Sequence, residues 1–226
     1  MRIRTNYANQ EHVTFDSVPW VGSPEAGVVR KMLERDGDEV ARATSIVRYS
    51  AGGQFAEHVH DLGEEFLVLE GTFQDEHGDY PAGTYVRNPP GSRHRPFSRD
   101  GCVIFVKLRQ FSHGDAAQRC VRPSDGEWRR QQGELVTMKD LHAFVDERVR
   151  LVKIPPAANV VFPAGAKGTE LLVLRGSMEA AALPCPQYTW VRSPKPALGV
   201  RSELGCLIWL KQGHLPRAHS ESVARG

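Results

Sequence analysis

The stretch of sequence that decides the fold occupies residues 52–71 and reads G-G-Q-F-A-E-H-V-H-D-L-G-E-E-F-L-V-L-E-G. A second stretch, at residues 83–94, reads G-T-Y-V-R-N-P-P-G-S-R-H. Both combine short apolar and aromatic runs with glycine and proline, which is the composition of short strands separated by tight turns. Histidine and glutamate residues stand among these turns, where strands can hold them rigidly.

Three histidines and one carboxylate are predicted to bind a metal ion: His58, His60, His94 and either Glu64 or Glu65. Neutral imidazole suits zinc, iron, nickel and copper, and a carboxylate adds one negative charge to such a site. His58 and His60 are two residues apart, so their side chains leave the same face of a strand. Glu64 and Glu65 are adjacent and face opposite sides, so only one of them can join the histidines.

Composition excludes several classes of protein. The chain has 226 residues, a hydrophobic content of 40% and a formal net charge of +2, with acidic and basic residues interspersed. Such a length allows one large or two small domains, and the charge gives no footprint for nucleic acid. The first residues lack the apolar run of a signal peptide, and no segment approaches the ~18 apolar residues of a membrane span. A soluble, cytoplasmic protein is therefore expected.

The chain repeats itself at a distance of about 105 residues, a period of domain size. The sequence G-E-E-F-L-V-L-E-G at 63–71 recurs as G-T-E-L-L-V-L-R-G at 168–176, and G-T-Y-V-R-N-P at 83–89 recurs as Y-T-W-V-R-S-P at 188–194. The similar runs that begin at Cys102 and Cys206 match at a shift of 104. We predict a first domain at 1–112, a linker at 113–126 and a second domain at 127–216. The polar tail from residue 213, and above all 217–226, is predicted to be disordered.

The second copy is predicted to bind no metal. At a shift of 105, the positions of His58, His60, Glu64 and His94 are occupied by Pro163, Gly165, Thr169 and Gly199. None of these residues reproduces a ligand. The second domain is therefore expected to be a structural or interface copy. Three further histidines, His113, His214 and His219, lie in the polar linker and tail and are not expected to be ligands.

Secondary structure is predicted to be almost entirely β. Strands are expected at 28–33, 42–49, 66–73, 85–88 and 102–108, because these runs are rich in β-branched and aromatic residues and are bounded by turn signals. Regular short strands of this kind favour a sandwich or barrel. Residues 138–146 have moderate helical character, with a strand as the alternative. The four cysteines lack metal-binding spacing and are interpreted as buried thiols rather than disulfides.

The two stretches resemble the two motifs of the cupin superfamily. Positions that fit the motif spacing are Gly52, His58, His60, Glu64 and Gly71 in the first motif, and Gly83, Pro89, Gly91 and His94 in the second. Ser98 stands where that family usually has asparagine. The resemblance implies two tandem double-stranded β-helix barrels, each a jelly roll. It also implies one divalent transition metal per chain, with His58, His60, Glu64 and His94 as the ligands.

Motif spacing and the duplication both favour Glu64 over Glu65 as the ligand. Glu64 leaves six residues before Gly71, as the cupin pattern requires. Glu65 is retained in the second copy as Glu170, whereas Glu64 is replaced there by Thr169. A ligand is expected to disappear together with its ion.

Among cupins, the sequence is most similar to the ChrR-type group, whose named member is a zinc-binding anti-sigma factor. The resemblance implies a regulatory or sensor module of the oxidative-stress type, with zinc favoured and iron, nickel or manganese as alternatives. The chain lacks the His-x3-Cys-x2-Cys motif of the helical sigma-binding domain, so direct sigma-factor binding is not expected. Other relatives look like dioxygenases, which leaves catalysis open. A homodimer and a small-molecule ligand at the metal are compatible with either reading, and Arg87, Arg93 and Arg95 are candidates to bind an anionic substrate or are ordinary loop arginines.

Overall fold

The chain folds into two compact β units. In the computed structural model, residues 1–38, 40–130, 132–163 and 167–216 are described. The first unit comprises Met1–Thr5 and Asp16–Trp128, and the second comprises Asn6–Phe15 and the chain from Arg129 onward. Phe15–Ser17 form a 3-10 turn, and no described helix has the length and apolar character needed to cross a bilayer. The all-β prediction is therefore confirmed.

The strands follow one another in short steps along both halves of the chain. Those of the first half are β1 (Arg2–Ile3), β2 (Glu11–Val13), β3 (Val21–Gly22), β4 (Val28–Asp36), β5 (Arg42–Tyr49), β6 (Gly53–Gln54), β7 (His58–Val59), β8 (Glu64–Asp75), β9 (Gly78–Pro81), β10 (Tyr85–Asn88), β11 (Arg93–His94), β12 (Phe97–Ser98), β13 (Cys102–Leu108) and β14 (Arg119–Val121). Those of the second half are β15 (Thr137–Phe144), β16 (Glu147–Ile154), β17 (Ala158–Pro163), β18 (Thr169–Gly176), β19 (Met178–Ala180), β20 (Leu183–Cys185), β21 (Trp190–Ser193), β22 (Ala197–Ser202) and β23 (Cys206–Gln212).

The first unit is built around the long strand β8. Its main sheet has the antiparallel order β1-β4-β5-β13-β8-β10-β14. The second half of β8 leaves this sheet and pairs with β9 and β12. The buried core between these layers contains Val28, Tyr49, Phe66, Val68, Phe73, Tyr80, Val86, Cys102, Ile104 and Val106. One strand thus serves both layers of a jelly roll, and no sheet of the described residues closes on itself.

Gly71 marks the point where β8 changes partners. It lies opposite Cys102 of β13, and the next residue, Thr72, lies opposite Pro81 of β9. Its φ is +68°, and a Cβ atom there would be 2.2 Å from the carbonyl oxygen of Gly101. Only glycine can adopt this conformation in so little space. The motif glycine therefore permits the bend that carries β8 across the metal-binding end of the unit.

The second unit is a sandwich of two antiparallel sheets. One sheet has the order β15-β16-β23-β18-β21-β2 and the other β17-β22-β19-β20. Its core includes Val152, Leu171 and Ile208 from the first sheet and Phe162 and Val200 from the second. Interdigitating inner faces of this kind are the usual core of a jelly roll. The sheet order β16-β23-β18-β21 repeats the order β5-β13-β8-β10 of the first unit, in agreement with the internal repeat.

Residues 138–146 do not form the helix that their spacing suggested. Residues 138–144 belong to β15, which pairs with β16, and residues 145–146 form the turn between the two strands. A bulge between Asp140 and His142 shifts the register, so that Leu141 and the adjacent His142 are both buried. Together with the partly buried Met138, this gives the i, i+3, i+4 pattern of a helix from a bulged strand.

Parts of the expected linker and tail take part in backbone pairing. Within the expected linker, β14 pairs with β10, where Val86 lies opposite Cys120. Polar residues such as Arg119 can form this strand because it is the last strand of its sheet. At the start of the expected tail, the backbone N–H groups of Gly213 and Leu215 donate hydrogen bonds to Gly168 and Lys167. The predicted disorder of 217–226, and His219 with it, lies outside the described residues.

Candidate metal centre

Two short strands and the start of a long one position the four predicted ligands. His58 on β7 lies directly opposite His94 on β11. The backbone of His60 is held by the second motif, because its N–H donates to the carbonyl of Ser92 and its own carbonyl accepts from Gly91. Glu64 opens β8. One ligand atom from each of the four side chains lies within 4.8 Å of the other three.

The distances within this group suit a metal ion. Glu64 Oε1 is 3.8 Å from His60 Nε2 and 3.7 Å from His94 Nε2. Ligand atoms bound ~2.1 Å from one ion are separated by ~3 to 4.2 Å, depending on the angle between them. The imidazole rings of His60 and His94 meet edge to face, with centroids 4.7 Å apart. The ligand atoms are therefore already far enough apart for an ion to bind between them.

The burial of these side chains favours a bound ion at the site. His60, His94 and Glu64 are 5%, 2% and 7% exposed. The Nε2 atoms of both histidines are buried and have no hydrogen-bond partner. A buried polar atom without a partner costs ~1–3 kcal/mol, and two of them point at the same carboxylate. A bound cation would satisfy both nitrogens and the charge of Glu64 at once, so the residues present fit a divalent metal.

Outer hydrogen bonds hold the imidazole rings in a metal-binding orientation. His94 Nδ1 lies 3.1 Å from Asp75 Oδ2, and Asp75 also accepts hydrogen bonds from the Tyr80 hydroxyl and the His77 backbone. His58 Nδ1 lies 2.9 Å from the carbonyl of Ala56. Contacts at Nδ1 fix the tautomer and leave Nε2 free for an ion. The sequence analysis missed Asp75, because no motif position points to it.

Glu64 has a neighbour that orients its carboxylate. Asn88 lies opposite Glu64 on the adjacent strand β10, and its side-chain amide donates to Glu64 Oε1 over 3.2 Å. Both residues are buried. Asn88 belongs to the second motif stretch and was expected only as a strand residue, so the structure adds it to the site.

The two buried histidines differ in their affinity for protons. Burial lowers the pKa of His60, and the nearby Glu64 carboxylate opposes this shift without cancelling it. For His94, burial also acts to lower the pKa, but the hydrogen bond to Asp75 and the charge of Glu64 outweigh it, so its pKa is raised. Protons therefore compete less with a metal for His60 than for an ordinary imidazole, and they compete more for His94.

Glu65 faces away from the ligands. Its Oε2 accepts hydrogen bonds from the Tyr85 hydroxyl at 2.7 Å and from Arg87 Nη1 at 2.6 Å. Arg87 also donates to Asp115 over 2.6 Å and is fully buried. Arg87 is thus bound between two carboxylates and is not an anion-binding residue of the site. Of the other candidates, Arg93 and Arg95 are both exposed.

A cavity of about 580 Å³ adjoins the four ligands. Its walls include the inward-facing side chains Val47 and Tyr49 of β5 and Ile104 and Val106 of β13. The volume is that of a typical small-molecule pocket, within the ~300–1,000 Å³ range. The candidate metal site therefore opens onto a space that a small organic molecule can enter.

The second unit fills the corresponding position with apolar side chains. The hydroxyl of Ser98 donates to the carbonyl of Thr72, and the hydroxyl of Ser202 donates in the same way to Ser177. This equivalence of Ser98 and Ser202 means that the counterpart of His94 is Leu198, not Gly199 as the constant shift predicted.

Leu198 shows what replaces the histidines. It lies opposite Phe162 across β17 and β22, and both are in the hydrophobic core. Thr169, the counterpart of Glu64, is fully buried at the start of β18. Gly165, the predicted counterpart of His60, lies outside the described residues. Between residues 194 and 202 the second copy is one residue shorter, which explains the wrong assignment of Gly199.

All four cysteines are free thiols. Cys102, Cys185 and Cys206 are buried, as expected of core thiols, and Cys120 on β14 is exposed. The exposed position follows from the edge strand that the sequence analysis interpreted as a linker.

Comparison with known proteins agrees with the motifs. Residues 8–112 match the family described as the ChrR cupin-like domain. This part of the chain is a ChrR-type cupin-like domain. The matched residues contain all four candidate ligands and the strands that carry them. None of the curated proteins compared with the chain gives a significant match.

Solved cupin-like structures resemble nearly the whole chain. A candidate dioxygenase from Nostoc punctiforme is 15% identical with a TM-score of 0.71, over 96% of this chain and 85% of that one. The bacterial pirin YhhW from Escherichia coli, in complex with nickel(II), is 15% identical with a TM-score of 0.68, over 92% and 100%. HEPD from Streptomyces albus, with 2-hydroxyethylphosphonate and Fe(II) bound, is 8% identical with a TM-score of 0.66, over 99% and 79%. Identities this low show a shared fold only.

Proposed function

We propose that the first unit binds one divalent transition metal and exposes it to a small molecule in the adjoining cavity. The ligands are His58, His60, Glu64 and His94. The observation that carries this proposal is the pair of buried Nε2 atoms, on His60 and His94, that have no partner and face Glu64. A cation at the centre of this group would give both nitrogens a partner and would balance the charge of Glu64.

The donor set and the cavity bear on the identity of the metal. Three imidazoles and a carboxylate suit zinc, iron, nickel and manganese, and the ChrR-type match favours zinc. A structural zinc site has four protein ligands and no open position. The cavity beside this site supports a higher coordination number, as iron, nickel or manganese would adopt. Structurally similar cupins contain nickel(II) and Fe(II).

Two uses of the metal follow from different observations. The ChrR-type match over residues 8–112 supports a regulatory or sensor module that responds to an oxidant. The cavity at the ligands and the likeness to a candidate dioxygenase support an enzyme that acts on a small organic substrate. In the enzyme, the metal would supply Lewis acidity and dioxygen chemistry. The chain's own residues would hold the ion, orient the substrate and exclude water.

Metal analysis followed by oxygen uptake separates these uses. The protein is purified without added metal, analysed, and then loaded separately with Fe(II), Ni(II), Mn(II) or Zn(II). An enzyme should consume oxygen with a member of a panel of small ketones and carboxylates, and His58→Ala should abolish the uptake. A sensor should consume none, and it should release its metal on treatment with hydrogen peroxide or singlet oxygen. Purified protein with no metal, and no binding on loading, would contradict both.

A further inference from the structure

Two arginines of β4 face the cavity, although they are five residues apart. Arg30 and Arg35 both line it. In a regular strand, an odd separation places two side chains on opposite faces. Here the pairing of β4 with β5 shifts between Met32 and Glu34, which is a β-bulge. The extra residue reverses the alternation, so both guanidinium groups lie on the inner face.

Arg30 has an unused hydrogen-bond donor. Its Nε atom is buried and has no partner, and the residue as a whole is half-buried. An unsatisfied charged donor is more costly than a neutral one. Arg35 is 5% exposed and donates to the carbonyl of Asp38. Its pKa is lowered by burial and, next, by the charge of Arg30. Two cations thus face one cavity, where an anion would relieve their repulsion.

Among the described residues, no carboxylate forms an ion pair with Arg30. Glu57 and Asp61 line the cavity but are exposed, and Asp61 is paired with Arg109. Glu25 is half-buried just before β4. The charge of Asp38 acts on Arg35. Arg30, with its unused Nε donor, is therefore the cation of this wall that is left for an anion.

The arginines and the metal ligands lie at opposite sides of the cavity. Arg35 is opposite Ala43, Ala43 is opposite Leu108, and Leu108 is opposite Glu64. Three strand spacings of ~4.8 Å put the backbones of Arg35 and Glu64 ~14 Å apart. Between them the wall is apolar, with Val47, Ile104, Val106 and Leu108. The cavity thus offers a cationic end, an apolar middle and a metal-binding end.

We propose that the cavity binds a small organic carboxylate, whose anionic group is held by Arg30 and Arg35 and whose apolar body extends toward the metal site. This proposal extends the proposed function and rests on it in one respect, because the end of the ligand opposite the carboxylate is expected to face the metal. Guanidinium groups bind carboxylates with charge-assisted, often bidentate hydrogen bonds. Neither arginine belongs to the two cupin motifs, since β4 precedes both motifs in the sequence.

Calorimetric titration with matched anionic and neutral probes tests the proposal. The probes are benzoate and hexanoate, each compared with its amide, benzamide or hexanamide. The full chain is titrated both loaded with Ni(II) and after treatment with a chelator. We expect each carboxylate to bind at least ~10-fold more tightly than its amide, as a charge-assisted contact predicts. The preference should persist without the ion, because arginines and not the metal provide it.

Variants assign the preference to Arg30. Arg30→Gln should reduce the carboxylate-to-amide ratio to near one, and Arg30→Lys, which keeps the charge but loses the Nε donor, should leave an intermediate ratio. Arg48→Gln is the control, because Arg48 is exposed on the neighbouring strand β5 and stacks on Trp20. It should retain the wild-type ratio. Circular dichroism checks that each variant is folded.

The outcomes separate this inference from the metal proposal. A carboxylate preference that Arg30→Gln removes, in protein that binds no metal, supports the inference while the metal proposal fails. Metal-loaded protein that binds acids and amides equally overturns the inference alone. It is also overturned by the absence of carboxylate binding at millimolar concentrations, or by an undiminished preference in folded Arg30→Gln. If Arg30→Gln does not fold, the wild-type ratio and the Arg30→Lys ratio decide.

Discussion

Asp75 Oδ2 lies 3.1 Å from His94 Nδ1, on the ring nitrogen opposite to the one that faces Glu64. The carboxylate is 8% exposed and is itself fixed by the Tyr80 hydroxyl. A carboxylate in this position sets the tautomer of a metal-binding histidine and increases its basicity. Asp75 is therefore part of the metal site, although it would not contact the ion.

Asp75→Asn should weaken metal binding ~10–100-fold, as is typical for outer partners of metal ligands. The amide cannot accept the His94 proton as strongly, so the ring is held less well. Competition with a chelator of known affinity measures the change. Asp79→Asn is the control, since Asp79 Oδ1 accepts a hydrogen bond from the side chain of Gln74. Equal effects of the two substitutions would refute this role for Asp75.

Glu64→Gln and Glu65→Gln should separate metal binding from stability. Glu64→Gln removes the only carboxylate among the four ligands, so metal affinity should fall by at least the ~10–100-fold seen for outer partners. Glu65→Gln should leave the metal content near wild type. It should lower the unfolding temperature, because Arg87 loses one of its two buried carboxylates. If Glu65→Gln loses the metal and Glu64→Gln keeps it, the assignment of the ligand is wrong.

Metal removal should affect one unit only. We expect one metal per chain, and its binding free energy should add to the stability of the first unit. Chelation should therefore increase hydrogen exchange in β8 and β10 and leave β18 and β21 unchanged. Hydrogen exchange of the native protein, followed by digestion and mass spectrometry, measures the protection of the strands in each unit. A metal content near two per chain, or an equal loss of protection in both units, would contradict an empty second unit.

Val13→Asp should destabilise the second unit while the metal content stays unchanged. Val13 is 2% exposed and lies opposite Trp190 in the pairing of β2 with β21. A buried charge without a partner is strongly unfavourable. Hydrogen exchange in β21 should rise. Val21→Asp provides the comparison, because Val21 is 40% exposed and should tolerate the charge. Unchanged protection of β21 would argue against this pairing.

One thiol should react quickly with a disulfide reagent in the native protein. Cys120 is exposed, whereas Cys102, Cys185 and Cys206 are buried. Burial raises the pKa of Cys102 and of Cys185 to about 11, which leaves little reactive thiolate at neutral pH. Absorbance with Ellman's reagent should show one fast thiol that disappears in Cys120→Ser. A fast phase that survives this substitution would identify a different accessible cysteine.

Local sequence patterns were sufficient for the centre of each sheet. Strands β5, β10 and β13 have the bounds expected from their β-branched and aromatic runs, because tight turns limit them at both ends. The four candidate ligands lie together in the structure for a related reason. His58, His60 and Glu64 are close in sequence, and the pairing of β11 with β7 adds His94. The second unit also includes Asn6–Phe15, a contribution that depends on strand pairing and not on local composition.

Features that depend on distant partners could not be read from the sequence. Asp75 reaches His94 only because β8 bends at Gly71, and no spacing rule expresses that bend. The bulge in β15 imitated helical spacing around Leu141. The second copy is one residue shorter after residue 194, so Leu198 and not Gly199 is the counterpart of His94. Each error arose where one extra or missing residue changed which face a side chain occupies.

The pairing of β2 with β21 has a consequence for the order of folding. Glu11 lies opposite Arg192, so this strand leaves the ribosome ~180 residues before its partner, and such distant contacts form slowly. All the strands of the first unit have been synthesised once the ribosome has translated β14. The second must keep an early segment unpaired until almost the whole chain has been made. During synthesis, the second unit is thus the more exposed of the two to misfolding.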